Sequence, residues 1–183
     1  MSKLKYLVTF LLIVLLLSSC GVFYRPAASV PSTSPKALKP SDAPNSSQAA
    51  EVLLFVNTAR AKGGVCGHTY YSPSNALRYD LILERVAQKH SEDMQAANVM
   101  SHITPTGAIH YPAGFQLRDR INQERYHWQV IGENVAWNFP SAEAVVVAWL
   151  ESPEHCVNIL NPEFTEIGVG KAGEYWAQEF GLP

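Results

Sequence analysis

From about residue 48 onward, apolar positions recur at helical spacing. Ala49, Val52, Leu53 and Val56 form one stripe, and Gly63-Gly64 ends it, which predicts a helix over residues 48–62. A longer stripe of Leu81, Leu83, Val86, Ala87, His90, Met94 and Ala97 predicts the main core helix over 77–98. Asp80 is a candidate N-cap that would shorten it at the front, and Asn98 is a candidate end. His90 lies on the apolar face, where an imidazole reads as a hydrogen-bonded core residue ahead of a ligand. Phe115, Leu117, Arg118 and Ile121 mark a short helix over 114–122. Ser141 caps a helix over 144–150. Ser152-Pro153 opens another with Pro at its first position, and Pro162 stops it.

The pattern then changes period. Trp128, Val130 and Ile131 read as strand within 126–137, interrupted by a Gly132-Glu133-Asn134 turn. Residues 166–171 and 175–180 read as two strands joined through Ala172-Gly173-Glu174, a hairpin. Helices come first and strands cluster late. The fold class is therefore α+β, a small sheet covered by helices, and not a parallel βαβ fold.

The N-terminal third is of another kind. Lys3 and Lys5 precede an apolar run over 6–17, too short for a comfortable membrane span and typical of a signal-peptide core. Leu17-Ser18-Ser19-Cys20 resembles a bacterial lipobox, which implies that Cys20 becomes a lipid-modified (palmitate-bearing) N-terminus. Pro26, Pro31, Pro35, Pro40 and Pro44 lie in a stretch with almost no bulky apolar residues, which cannot bury enough surface to offset its chain entropy. The organisation expected is a signal peptide over 1–19, a lipidated Cys and tether over 20–47, and one globular domain over 48–183. The domain is expected to be a monomer held to a bilayer through Cys20. Gly21 follows where Asp would favour the inner membrane, so the outer membrane is the expected address in a host with two.

Without residues 1–19 the chain keeps 12 Lys and Arg against 16 Asp and Glu, a formal charge of −4. A net-negative surface without a basic cluster argues against nucleic acid or anionic lipid as a main partner. Once Cys20 carries lipid, Cys66 and Cys156 remain, and in an exported chain two cysteines imply a disulfide.

The residues with chemistry to offer are His102, Glu133, Glu151 and His155, from three stretches beside apolar elements. Imidazole and carboxylate together can bind a metal, orient a general base or form a structural hydrogen-bond network. Their spacing matches no metal signature, and neither Ser101 nor Ser152 sits in a nucleophile elbow.

Five motifs in order resemble the CAP superfamily (SCP-like domains) in its bacterial lipoprotein-like branch. They are Ser101-His102, Gly132-Glu133-Asn134-Val135-Ala136, the run from Trp149 to Leu160, Phe164 to Gly170, and Tyr175 to Gly181. The resemblance implies an α-β-α sandwich with a small, mainly antiparallel sheet, an extracytoplasmic location, and a cleft holding two His and two Glu. By motif, His102, Glu133 and Glu151 fill three of those places. Tyr175 stands where the eukaryotic members carry their second His. His155 belongs to the Ser-Pro-x-His-x-x-Asn pattern of the bacterial branch. A divalent metal such as zinc is the implied cofactor, with His102 and His155 as candidate ligands. Three functions stay open: a cleft binding a small, lipid-like or extended ligand, a hydrolase using metal-bound or Glu-activated water, and a structural envelope module.

Overall fold

The computed structural model describes residues 19–24 and 43–183. Of the signal peptide expected over 1–19, residues 1–18 lie outside the described residues, as do residues 25–42 of the tether expected over 20–47. Among the described residues, no helix is long and apolar enough to cross a membrane.

The elements follow in order: β1 (Ser19–Tyr24), α1 (Ser47–Lys62), β2 (Gly64–Cys66), β3 (Thr69–Tyr71), β4 (Arg78–Tyr79), α2 (Leu81–Ala97), α3 (Leu117–Gln123), β5 (Val130–Trp137), α4 (Ala142–Glu151), α5 (Pro153–Leu160), β6 (Glu166–Ala172) and β7 (Tyr175–Leu182). Five strands form one sheet in the order β1-β5-β7-β6-β4, and β2 and β3 form a separate hairpin. All neighbours in the large sheet are antiparallel except β4 and β6. The α+β expectation and the α-β-α sandwich both hold.

Three local expectations change. The main helix starts at Leu81, because the Asp80 carboxylate accepts from the Ile82 and Leu83 amides at 2.8 and 2.9 Å, and Arg78 and Tyr79 pair with β6 instead. Residues 132–134 are not a turn. They continue β5, which is paired on one side with β1 and on the other with β7, so every backbone group there has a ladder to join. Residues 20–24, expected at the start of the tether, form most of β1 at the sheet edge.

Side chains alternate across the sheet and give it two apolar faces. Ile131, Val135 and Ala177 meet Leu83, Val86, Ala87 and Met94 of α2 and Ile121 of α3 on one side. Ala136, Trp176 and Phe180 meet α1, α4 and α5 through Val52, Val56, Trp149 and Ile159 on the other. The α2 layer sits unusually close to the sheet. A Cβ at Gly168 would lie 2.1 Å from the Glu84 nitrogen, and one at Gly170 would lie 2.2 Å from the Gln88 nitrogen. Two glycines on one face of β6 thus meet one turn of α2.

The second layer is tied by a buried cation. Arg60 of α1 donates to the carbonyls of Asn75, Ile159 and Asn161 at 2.8 Å and of Phe164 at 3.2 Å. Two of these carbonyls, Ile159 and Asn161, lie at the C-terminal end of α5, where the helix leaves acceptors unpaired and favours positive charge. Burial lowers the Arg60 pKa to about 10, which still leaves it cationic at neutral pH.

Cys66 and Cys156 are bridged as expected, with Cα atoms 5.5 Å apart, joining β2 to α5. The bond closes a separation of 90 residues. Replacing both cysteines by serine should cost about 3–5 kcal/mol in chemical denaturation. A change under about 1 kcal/mol would show that the crosslink does not stabilise the fold through chain entropy.

Candidate functional site

The site grows from β5. Glu133 and Asn134 are neighbours on the strand, so they point to opposite faces. Glu133 enters the α2 layer, is fully buried, and stands opposite Glu179 of β7, also fully buried. Asn134 enters the α5 layer, opposite Gln178.

Around Glu133 gather three further side chains. Arg120 of α3, fully buried, donates from Nη2 to Glu133 Oε2. His102, in the loop after α2, lies with Nδ1 2.7 Å from Glu133 Oε1. His90 of α2 lies with Nε2 3.7 Å from Glu133 Oε2 and donates to the Ser101 carbonyl at 2.8 Å. A carbonyl only accepts, so the His90 proton is on Nε2. The loop itself is pinned from two sides. Arg120 Nη1 donates to the carbonyls of His102 at 2.9 Å and Phe115 at 3.2 Å. Asp93 accepts from the amides of Ile109 and His110 at 2.7 Å and of Tyr111 at 3.1 Å.

These contacts divide the protons unevenly. Burial opposes a charge on Glu133, but the Arg120 guanidinium and then the facing imidazoles outweigh it and hold the carboxylate well below its usual range. Glu179 goes the other way. Burial, and then the charge of Glu133, push its pKa well above the usual carboxylate value, so it is a neutral acid. Burial, then Arg120, lowers His90 to about 4. Since ionised Glu133 can only accept, His102 must donate from Nδ1. His102 Nε2 is buried without a hydrogen-bond partner, as are His90 Nδ1 and both Glu179 oxygens.

Of the residues expected in one cleft, His102 and Glu133 meet. Glu151 does not join them: it is exposed at the end of α4. His155 lies in the opposite layer, fully buried in α5. Its Nδ1 is 2.7 Å from Ser152 Oγ, and its carbonyl accepts from Asn134 at 3.3 Å. Both were grouped with His102 and Glu133 by residue type beside apolar elements and then by motif, and neither criterion says which side of a sheet a helix covers. Tyr175 shares the Glu133 face but stands two strand pairs away, its hydroxyl donating to Asn98 Oδ1 at 3.0 Å. Because the sheet separates His102 from His155, the pair does not fit a single metal ion. Among the described residues no group of three or more His, Cys, Asp or Glu is arranged to hold one.

Sequence reasoning passed over Arg120 and Glu179. Arg120 lies three residues after Leu117 and beside Ile121, on the buried stripe of α3, whereas Arg118, taken into that stripe, is exposed. Glu179 follows from strand alternation once Ala177 is known to face inward.

The three-layer sandwich that carries this cluster is a CAP-class domain. The chain belongs to the cysteine-rich secretory protein family (CAP), whose sequence profile matches residues 53–179. It is 34% identical over 158 residues to the uncharacterized protein YkwD of Bacillus subtilis, covering 84% of this chain and 55% of that protein. The uncharacterized membrane protein YlbC of the same organism is 32% identical over 130 residues, 71% of this chain and 33% of YlbC. The chain therefore spans about half and one third of the lengths of these relatives. A solved structure of an extracellular protein containing a SCP domain, from Bacillus anthracis, superposes with a TM-score of 0.63 at 28% identity. The match covers 74% of this chain and 40% of that one.

Glu133→Gln would leave the Arg120 charge buried and uncompensated, at an expected cost of about 3–5 kcal/mol in chemical denaturation. The double variant Glu133→Gln with Arg120→Met should recover most of that loss; equal instability of single and double variants would contradict the pairing.

Glu179 gives a pH signature. Its folded pKa lies above the unfolded value of about 4.3, so its contribution is intact below that pH and is lost as pH rises toward the folded pKa. Glu179→Gln should therefore match wild type at pH 4 and become relatively more stable above it. The gap should widen by up to about 1.4 kcal/mol per pH unit until the folded acid ionises. Thermal melts from pH 4 to 8 check this, and a pH-independent difference would refute it.

Proposed function

We propose that this chain is an extracytoplasmic CAP-domain protein, anchored by lipid at Cys20, and that its His102 site binds a hydroxyl- or amide-bearing amphiphile. The Cys66–Cys156 disulfide supports an oxidising compartment, as does the likeness to an extracellular SCP-domain protein. The lipobox-like Leu17-Ser18-Ser19-Cys20 supports the anchor.

The observation that carries the binding reading is His102 Nε2. It is buried and unpartnered on a ring clamped by Glu133. In the singly protonated ring, the proton held on Nδ1 by Glu133 leaves a lone pair at Nε2, which suits an O–H or N–H donor. Ile103 and Ile109, on the same loop, are 49% and 66% exposed and offer apolar contact for the rest of a ligand. Ser101, the nearest hydroxyl in sequence, is engaged, its Oγ accepting from the Ile103 amide at 3.0 Å.

One observation favours a hydrolase instead: a carboxylate-oriented imidazole can take a proton from water. A single experiment weighs both. Monocaprin, a hydroxyl-bearing monoacylglycerol, is titrated below its micellar range by calorimetry, and the solution is then chromatographed for free fatty acid. The expected result is saturable binding, weakened at least tenfold by His102→Ala at an unchanged melting temperature, with the ester intact. Equal binding by the variant would remove the site from the reading. Fatty acid release that stops in His102→Ala would replace binding with hydrolysis.

A further inference from the structure

The sheet register puts the start of β1 beside an exposed aromatic. Ser19 pairs with Ala136 and Cys20 with Val135, so Cys20 stands two residues, about 7 Å along a strand, from the level of Trp137. Trp137 ends β5 and is 40% exposed. Its ring lies against Tyr175, with centroids 6.5 Å apart, and Tyr175 in turn bonds Asn98 at the end of α2. The next residue, Val99, is 47% exposed. Trp137, Tyr175 and Val99 thus share one end of the sheet. The β6–β7 hairpin tip lies at that end too, since Trp137 pairs with Tyr175 and Asn138 donates to the Glu174 carbonyl at 2.9 Å. Lys171 beside the tip stands over the Trp176 ring at 5.1 Å. Lys171 and Glu174 flank the tip with opposite signs, and Glu143, exposed in the first turn of α4, adds a carboxylate shortly after Trp137 in the chain.

We infer that this end of the sheet, with Trp137 and Val99 at its surface, rests on the bilayer. The inference rests on the anchored-chain reading above and adds an orientation to it. The chain runs toward the Trp137 end as it is followed back from Tyr24 to Ser19. On the anchored-chain reading, the acyl group of Cys20 starts from a backbone position near that end of the sheet. An indole backed by a phenol suits the membrane interface, being apolar in body and polar at the edge. A second copy of the chain fits less well. Two exposed side chains fall far short of the roughly 800 Å² per partner that a stable interface buries. Because apolar side chains carry the contact, it persists at high salt, where charge attraction is screened.

The test uses full chain purified from membranes and reconstituted into phosphatidylcholine vesicles carrying a shallow nitroxide-labelled lipid. Wild type, Trp137→Ser and Val99→Glu are compared, each checked for an unchanged melting temperature. Flotation reports the anchor, and tryptophan quenching reports the face. Trp149 and Trp176 are fully buried and contribute little to quenching, and Trp128, partly buried, precedes the opposite end of β5 and serves as the internal reference. All three proteins should float. Wild type should show quenching that persists at high salt, and each variant should lose at least half of it. Floating variants quenched like wild type would overturn the face and leave the anchor standing. Wild type that does not float would overturn both. Trp137-dependent dimers in detergent would assign the patch to a second copy and overturn the bilayer contact.

Discussion

The contact on which the α2 side of this domain depends is the buried pair of Arg120 and Glu133. Each ion alone would be very costly in the interior. Together, and with the surrounding donors and acceptors, they become a fastener. Arg120 joins α3 to β5 and also holds the carbonyls of His102 and Phe115, at the two ends of a long irregular stretch. Glu133 returns the favour by orienting His102. Weakening this pair would free the loop that carries His102, so the stability of the layer and the orientation of that ring are properties of one cluster.

Gly132-Glu133-Asn134 acquires a physical reason from this geometry. A Cβ at Gly132 would lie 2.7 Å from the Phe164 ring, so that position must stay bare. Glu133 then commits its carboxylate to the α2 layer. Asn134 commits its amide to the other layer, where it bonds Gln178 Oε1 at 3.0 Å and accepts from Asn158 at 2.8 Å. Asn158 also donates to the Glu133 carbonyl at 3.0 Å. Three consecutive residues of a central strand thus set the spacing and polar registration of both helical layers.

That arrangement also explains what could be read from the sequence. Helices α1, α2, α4 and α5 declared themselves by apolar period and by capping residues such as Asp80 and Ser141, because both are local effects. The hairpin at Gly173 did too. The polar residues of β5 looked like a turn, since strand alternation is hard to recognise when the inward residues are Glu and Asn. Their burial is made tolerable by partners distant in sequence. β4 and the β2–β3 hairpin are too short for a period to show. At the site, residue type and motif both pointed to His102 and Glu133 but could not separate faces, so Glu151 and His155 were grouped with them. Arg120 and Glu179 are visible only after pairing fixes which side each strand residue faces.

The charge balance of the cluster narrows what it can do. Arg120 and Glu133 cancel. Glu179 is kept neutral by burial and by Glu133, and His90 is kept neutral by burial and by Arg120. The interior part of the site is therefore neutral as a whole and has no spare charge with which to attract an ion. His102 is the member of the cluster that reaches solvent, with 14% of its side chain exposed. Under the binding role proposed above, recognition passes through the hydrogen bond its ring can make, supported by apolar contacts on its loop. A site of that kind discriminates by the placement of one donor on an otherwise greasy molecule, which favours an uncharged amphiphile over a highly charged ligand.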